Sequence, residues 1–492
     1  MGLIIKQSIK GSFWSYLGVG LGFITTSFLF PKYVSTEVIG LFGVIVAYST
    51  IASQLSSLGI NGVTGRLFPY FRDESNGHNG FLFIGVSVVL IGFVLFLAVF
   101  SIISPYLLEG KADSVLLIDY FFLIKVITLF VSLYAFFDSY NKLLYDAVYG
   151  TFLQEFVQRL LILLFTVLFI LMIIDLNIFI LGYALALSMK GILIVAHLWR
   201  KKSIKVKSNL SFITPKLRKE IISVALFSLL AGFGTSAVFS IDKIIIFDLL
   251  DLSNTGVYTI AFFFGTLVVI PSRPLLKIAG TVIAEAWKDN DLKKIDLIYK
   301  KSCLNQFILG SVLFLGIWVN INNILEILGD DYLEAKWVIF FIGLSFLIDM
   351  GTGAKNLVIS LSKQYRMMLL FISLLIVLVI VSNYIFIPIW GIQGAAIASA
   401  LSMFVTNLVK YLFIYRKYGF QPFNYRFLVV ISIIIVSYIT QLLLPELSLI
   451  PDIITRSFIV GGSFSILILV SKVSSEINST VKKGYDLIKS KL

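Results

Sequence analysis

The chain has 492 residues, 58% of them hydrophobic and only 14% charged, with a mean hydropathy of +0.97. A soluble domain carries about a quarter charged residues, so this balance excludes an ordinary globular protein and points to a membrane one. The net charge of +13 does not argue for nucleic acid as a partner, because basic residues gather in the cytoplasmic loops of membrane proteins.

The apolar runs are each near the length of about 20 residues that crosses a hydrocarbon core, and such runs close their own backbone hydrogen bonds as helices. They fall at roughly 11–31, 37–60, 80–104, 115–137, 149–174 and 177–199. Further runs lie at roughly 221–248, 253–276, 302–325, 333–354 and 366–388, and the last three at roughly 391–415, 426–444 and 453–471. The expected fold class is all-α integral membrane, with about 14 transmembrane helices. Lys6 and Lys10 precede the first run, and no small-residue cleavage site follows a short apolar core, so the N-terminus reads as retained.

The loops orient the helices. After the sixth run come Arg200, Lys201, Lys202, Lys205, Lys207, Lys216, Arg218 and Lys219 against Glu220 alone. Lys355, Lys363 and Arg366 follow the tenth, Arg416, Lys417 and Arg426 the twelfth, and the tail adds Lys472, Lys482, Lys483, Lys489 and Lys491. The alternate loops are short and acidic: Asp248 and Asp251, then Glu326, Asp330, Asp331 and Glu334. This alternation places both termini in the cytoplasm and requires an even number of helices.

Cys303 is the single cysteine, so no intramolecular disulfide forms. His78 and His197 give no metal-ligand spacing, and no motif calls for a cofactor. The basic stretch 200–220 divides the chain after six helices and before eight. Ser35-Thr36-Glu37-Val38-Ile39-Gly40 and Leu252-Ser253-Asn254-Thr255-Gly256 stand at the same step of each half, each a polar helix start before a glycine. A duplicated six-helix unit is expected: an N-terminal lobe 1–199, a cytoplasmic linker 200–220, a C-terminal lobe 221–415, and helices 13 and 14 with the tail at 416–492. Six is even, so the copies share one orientation and enclose a cleft suited to alternating access.

Taken together, Tyr33-Val34-Ser35-Thr36-Glu37-Val38-Ile39-Gly40-Leu41-Phe42, Leu58-Gly59-Ile60 with Arg66-Leu67-Phe68-Pro69, Ser240-Ile241-Asp242-Lys243 with Thr255-Gly256-Val257-Tyr258, and Gly391-Ile392-Gln393-Gly394-Ala395-Ala396 resemble the Wzx-type polysaccharide (O-antigen or capsule) flippases. That group belongs to the multidrug/oligosaccharidyl-lipid/polysaccharide transporter superfamily. The resemblance implies movement of a polyprenyl-diphosphate-linked oligosaccharide from the inner to the outer leaflet of a bacterial cytoplasmic membrane. The related peptidoglycan-precursor flippases carry basic residues in the first helix, whereas this chain has none between Lys10 and Lys32.

A diphosphate with a sugar chain cannot cross hydrocarbon unaided, so intramembrane charges are the candidates for transport. Lys125 is read as about ten residues into its span, too deep to snorkel, with Asp119 as the alternative ion-pair partner. Arg159 follows Glu155 by one turn, a spacing that also suits simple pairing. Lys190 and Lys410 lie within snorkelling reach of a cytoplasmic end, and Lys243 adjoins Asp242 on the seventh helix. The expected substrate-binding residues are Lys125, Arg159, Lys190 and Lys243. Asp349, with no partner evident in sequence, and Asp242 are the expected ion-coupling residues, for H+ or Na+. Expected partners are the lipid-linked oligosaccharide and membrane lipids; nothing requires an oligomer.

A cation-coupled multidrug antiporter of the same fold is one alternative, though it would need acidic rather than basic residues in its cleft. A membrane glycosyltransferase, polymerase or ligase is another, though the outer loops carry no acid–base or metal constellation. The topology is testable. In a Cys303→Ser background, Ser208→Cys and Asp330→Cys are expected to react with an impermeant thiol reagent from opposite sides; labelling from one side would contradict the helix count.

Overall fold

A computed structural model describes residues 2–109, 114–204 and 209–489. Lys205, Lys207, Ser208 and Lys491 of the basic segments lie outside the described residues. Among the described residues all regular secondary structure is helical, with no strand.

Twelve helices among the described residues are long and apolar enough to cross a bilayer. They begin with α1 (Lys10–Tyr33), α2 (Thr36–Phe71), α3 (His78–Leu108), α4 (Leu123–Leu143), α5 (Ala147–Ile170), α6 (Leu176–Arg200) and α7 (Pro215–Leu249). After them come α8 (Leu252–Val269) and α9 (Leu292–Val319). Helix α10, Ala335–Gly351, has 17 residues, the lower end of the spanning range of about 17–25. Met367–Tyr418 runs for 52 residues, more than twice what one pass needs at about 1.5 Å per residue. It breaks at Trp390 and at Gly391, where φ is +56°, giving α11 (367–389) and α12 (392–418). The chain ends with α13 (Tyr425–Leu443) and α14 (Leu449–Ser471). Counting the broken helix as two passes and adding α10 gives the fourteen expected.

The surface is that of a protein in lipid. Leu90, Ile91, Val94, Leu95 and Val99 form one exposed face of α3, which would be an aggregation site in water and is what a lipid-facing span requires.

Packing divides the chain into two units, Met1–Gly256 and Val257–Leu492. Unit 1 closes around Phe68, Phe71, Phe81, Phe136 and Tyr140. At Leu58-Gly59-Ile60 one helical segment, Thr36–Ser56, gives way to another, Ile60–Phe71. Leu58 (φ +46°) and Gly59 (φ +76°) make a left-handed break inside α2, after which Ile60, Val63, Leu67 and Phe68 return to the core. Unit 2 closes around Tyr299, Val358, Ile359, Ile414, Val430 and Phe464.

The two repeated starts meet inside unit 1. Ser35 caps α2 by accepting from the Val38 amide at 3.4 Å, and Asp251 precedes α8 and accepts from the Asn254 amide at 2.7 Å. A Cβ on Gly40 would lie 1.8 Å from the Leu252 carbonyl oxygen, and one on Gly256 would lie 1.9 Å from that of Thr36. Thr36 Oγ1 and Ser253 Oγ share a hydrogen bond of 2.7 Å. The contact is reciprocal: each glycine faces the carbonyl four residues before the other. Cap and glycine therefore align Ser35 with Asp251, one residue off the register read from the sequence. Gly40→Val pushes its side chain into backbone that has nowhere to move, an overpacking expected to cost about 1–3 kcal/mol. Gly316 has nothing within 4 Å of its Cβ position. Thermal unfolding of the purified protein should fall for Gly40→Val and hold or rise for Gly316→Ala.

Candidate functional site

In unit 1, α1 and α5 each contain a π-helical turn, at Thr25–Leu29 and Phe152–Val157. Such turns widen the helix by one residue and re-aim the side chains they carry. The second carries Glu155 and is followed by Arg159. Arg159 donates from Nη1 to the Gly18 carbonyl at 2.8 Å and from Nη2 to Glu155 Oε2 at 3.1 Å. The approach depends on glycine: a Cβ on Gly18 would fall 1.9 Å from the Glu155 carbonyl oxygen, and one on Gly22 would fall 2.7 Å from Arg159 Nη1. The i,i+4 pair read from the sequence is thus formed, and its arginine also ties α5 to α1. The Arg159 side chain stays 27% exposed, so an anion has access to the guanidinium.

Lys190 of α6 lies beside this pair, its Nζ 5.0 Å from the centre of the Tyr134 ring and in the field of Glu155 and Asp138. Tyr134 donates from its hydroxyl to the Gly150 carbonyl at 2.8 Å. One turn further along α4, Asp138 Oδ2 accepts from Lys142 at 2.5 Å. Asp138 Oδ1 is buried without a hydrogen-bond partner, against Gly150, where a Cβ would lie only 1.7 Å away. Arg159 and Lys190 thus stand in balance against Glu155 and Asp138, while Lys142, which also reaches Asp138, has its side chain 51% exposed.

Lys125 stands apart from this cluster. The short helix Val115–Tyr120 joins α4 through Phe121 and Phe122, both of which keep right-handed helical φ/ψ, so Lys125 stands near the start of α4 and about ten residues into the helical run from Val115. It lies about 13 Å along the axis from Tyr134. Its ammonium sits 5.6 Å from the Phe100 ring centre, a cation–π contact with α3, while Asp119 lies exposed on the preceding short helix Val115–Tyr120. On α7, Asp242 is buried and Lys243 partly buried, each acting on the other's charge.

Unit 2 contains a second cluster, and here the sequence misled. Asp349 is paired: Lys355 donates from Nζ to Asp349 Oδ1 at 2.7 Å and to its carbonyl at 3.1 Å. Asn407 donates to the same Oδ1 at 3.3 Å, and Lys410 adds its field. Lys355 was read as a cytoplasmic-loop residue, yet it is 1% exposed, and Lys410 is 6% exposed rather than snorkelling outward. The cause is local. Gly353 takes φ +58° with its Cα against Cys303, and the Ala354 amide donates to Ser302 Oγ at 3.0 Å. The chain after α10 is thereby folded back against α9, so Lys355 turns inward with Val358 and Ile359 behind it. The signal was present as Gly351-Thr352-Gly353 followed by Leu357-Val358-Ile359. Two ammonium groups face one carboxylate, one positive charge in excess.

Truncating one member of a buried ion pair leaves the other uncompensated, which costs about 3–5 kcal/mol. Asp349 retains 31% exposure, so Lys355→Met is expected at the lower end, about 3 kcal/mol. The double variant Lys355→Met/Asp349→Asn should recover most of that loss. Equal instability of single and double variants in thermal unfolding would contradict the pairing.

Residues 8–284, more than half the chain, match the family described as "Polysaccharide biosynthesis protein". No curated protein matches the chain. Among solved structures, it is similar to the lipid II flippase MurJ in an inward closed conformation. The TM-score is 0.74 at 15% identity, over 96% of this chain and 100% of that one. An inward-facing multidrug resistance MATE family transporter of the MOP superfamily gives a TM-score of 0.65 at 15% identity, over 81% and 94%. A MATE structure in a bent conformation gives 0.52 at 16% identity, over 85% and 95%. At such identities the likeness establishes the fold. The chain is a multi-pass membrane protein that belongs to the polysaccharide biosynthesis protein family and has the fold of the MOP-superfamily transporters.

Proposed function

We propose that the protein is a flippase that moves a polyprenyl-diphosphate-linked oligosaccharide from the inner to the outer leaflet of a bacterial cytoplasmic membrane, by alternating access through a cationic cavity. The observation that carries this reading is the excess of positive charge buried in unit 2, where Lys355 and Lys410 face Asp349, together with the accessible guanidinium of Arg159 beside Lys190 in unit 1. Uncompensated charge is costly away from water and is retained where a counter-charge arrives. A diphosphate is such a counter-charge; a cationic drug is not. This favours the flippase over the cation-coupled multidrug antiporter. The family match supports a polysaccharide rather than a drug as cargo.

Arg159 and Lys190 are the residues proposed to receive the diphosphate, Arg159 through its planar fork and Lys190 as a point charge. Both termini are proposed to be cytoplasmic. Each cluster then lies toward the end of its unit that bears the basic loops, the side from which the substrate is loaded. Lys125, near the opposite end of α4, and Lys243 are proposed as later contacts. Asp349 and Asp242 are proposed for coupling.

Arg159→Ala and Lys190→Ala are expected to reduce outer-leaflet delivery of the lipid-linked sugar by at least tenfold, with membrane insertion and detergent-solubilised yield unchanged. The check is surface glycan in cells carrying each variant as the sole copy. Normal surface glycan in both would remove this cluster from transport.

A further inference from the structure

At the opposite end of unit 2 from Lys355, the ends of α9 and α13 and the starts of α10 and α14 surround a cavity of about 450 Å³. Its floor is a closed polar network. Asp452 is 5% exposed, and its Oδ2 accepts from Asn323 Nδ2 at 2.6 Å and from Arg456 Nε at 2.5 Å. Asn320 donates from Nδ2 to the Gly316 carbonyl at 2.8 Å and to Ser457 Oγ at 3.0 Å. These bonds fix the short helix Ile321–Leu328 against α14, so the cavity is built rather than incidental.

The walls differ from both charge clusters. Asn322 and Gln441 present amides, Glu326 and Glu446 carboxylates, Lys336 an ammonium and Trp318 its indole. Trp318 is held in place by Trp337 and Phe340, with ring centres 5.6 and 4.7 Å away. With Asp452 and Arg456 of the floor, the lining sums to one net negative charge, which disfavours a diphosphate. Hydrocarbon would leave the amides and carboxylates desolvated without partners. A metal ion is not favoured either: no three His, Cys, Asp or Glu among the described residues are grouped to hold one. What remains is a ligand that offers donors and acceptors in close alternation, with an apolar face for the indole. Vicinal hydroxyls of a sugar ring do this, since each donates and accepts and pairs with planar amides and carboxylates. The volume lies within the range of about 300–1,000 Å³ for small-ligand sites, enough for a mono- or disaccharide.

We propose that this cavity is a saccharide-binding site for neutral sugar rings. Its role as a resting place for the delivered glycan, at the outer end of unit 2, rests on the flippase reading; its binding chemistry does not. The test uses the purified full-length protein in nanodiscs, with glucose, galactose, N-acetylglucosamine and lactose as probes and glucose 1-phosphate as the anionic comparison. Binding is read by saturation-transfer NMR.

At least one neutral sugar should bind in preference to glucose 1-phosphate. Asn322→Ala and Gln441→Ala, which leave the floor intact, should each weaken it by roughly fivefold, the effect of one lost hydrogen bond. Binding of none of the sugars, binding indifferent to both variants, or preference for the phosphate would overturn the site. Delivery measured in the same variants separates the two claims. Sugar binding without glycan delivery by the unmodified protein counts against the flippase reading and leaves the site standing. Glycan delivery without sugar binding counts against the site alone.

Discussion

An unpaired charge has no place in hydrocarbon, and that constraint organises this protein more than any other. It forces the backbone into helices that satisfy their own hydrogen bonds, and then forces every charge inside them to find a partner or a use. The partners are brought together by close helix approach, and close approach is bought with glycine. Gly18 and Gly22 admit Glu155 and Arg159 to the face of α1, and Gly150 admits Asp138. Gly353 turns the chain so that Lys355 reaches Asp349. Glycine placement and charge pairing are one device seen from two sides.

Neither pairing is complete. In unit 2 two buried ammonium groups face one carboxylate, and in unit 1 a carboxylate oxygen of Asp138 remains buried without a donor. A purely structural network would be expected to balance, because imbalance in low dielectric costs stability without return. The buried excess of positive charge in unit 2 is what a carrier of anions would keep. The π-helical turns fit the same reading. The one in α5 carries Glu155 and immediately precedes the turn that holds Arg159, and such interruptions are frequent at functional sites.

Much of this was legible in the sequence. Hydropathy is a one-dimensional property, so the runs marked the passes well, including the pair separated by Trp390 and Gly391. The Glu155–Arg159 pair was legible because i,i+4 spacing is local. What escaped depended on the third dimension. Lys355 looked like a loop residue because hydropathy cannot register a chain that folds back, and Asp349 looked partnerless because its partner was six residues on, across a turn. The reciprocal seat of Gly40 and Gly256 was not legible: the two starts were read as copies of a repeat, and their contact is a property of the packed helices alone.

The central claim is that an anionic lipid-linked glycan neutralises these clusters during transport. The most direct measurement is mass spectrometry of the polyprenyl-linked lipids in a strain lacking the gene, with their leaflet assigned by accessibility to an added glycosidase. The account predicts accumulation of a complete oligosaccharide on polyprenyl diphosphate, protected on the cytoplasmic side, and cleared when the gene is restored. An unchanged lipid-linked pool together with new sensitivity to cationic drugs would contradict it.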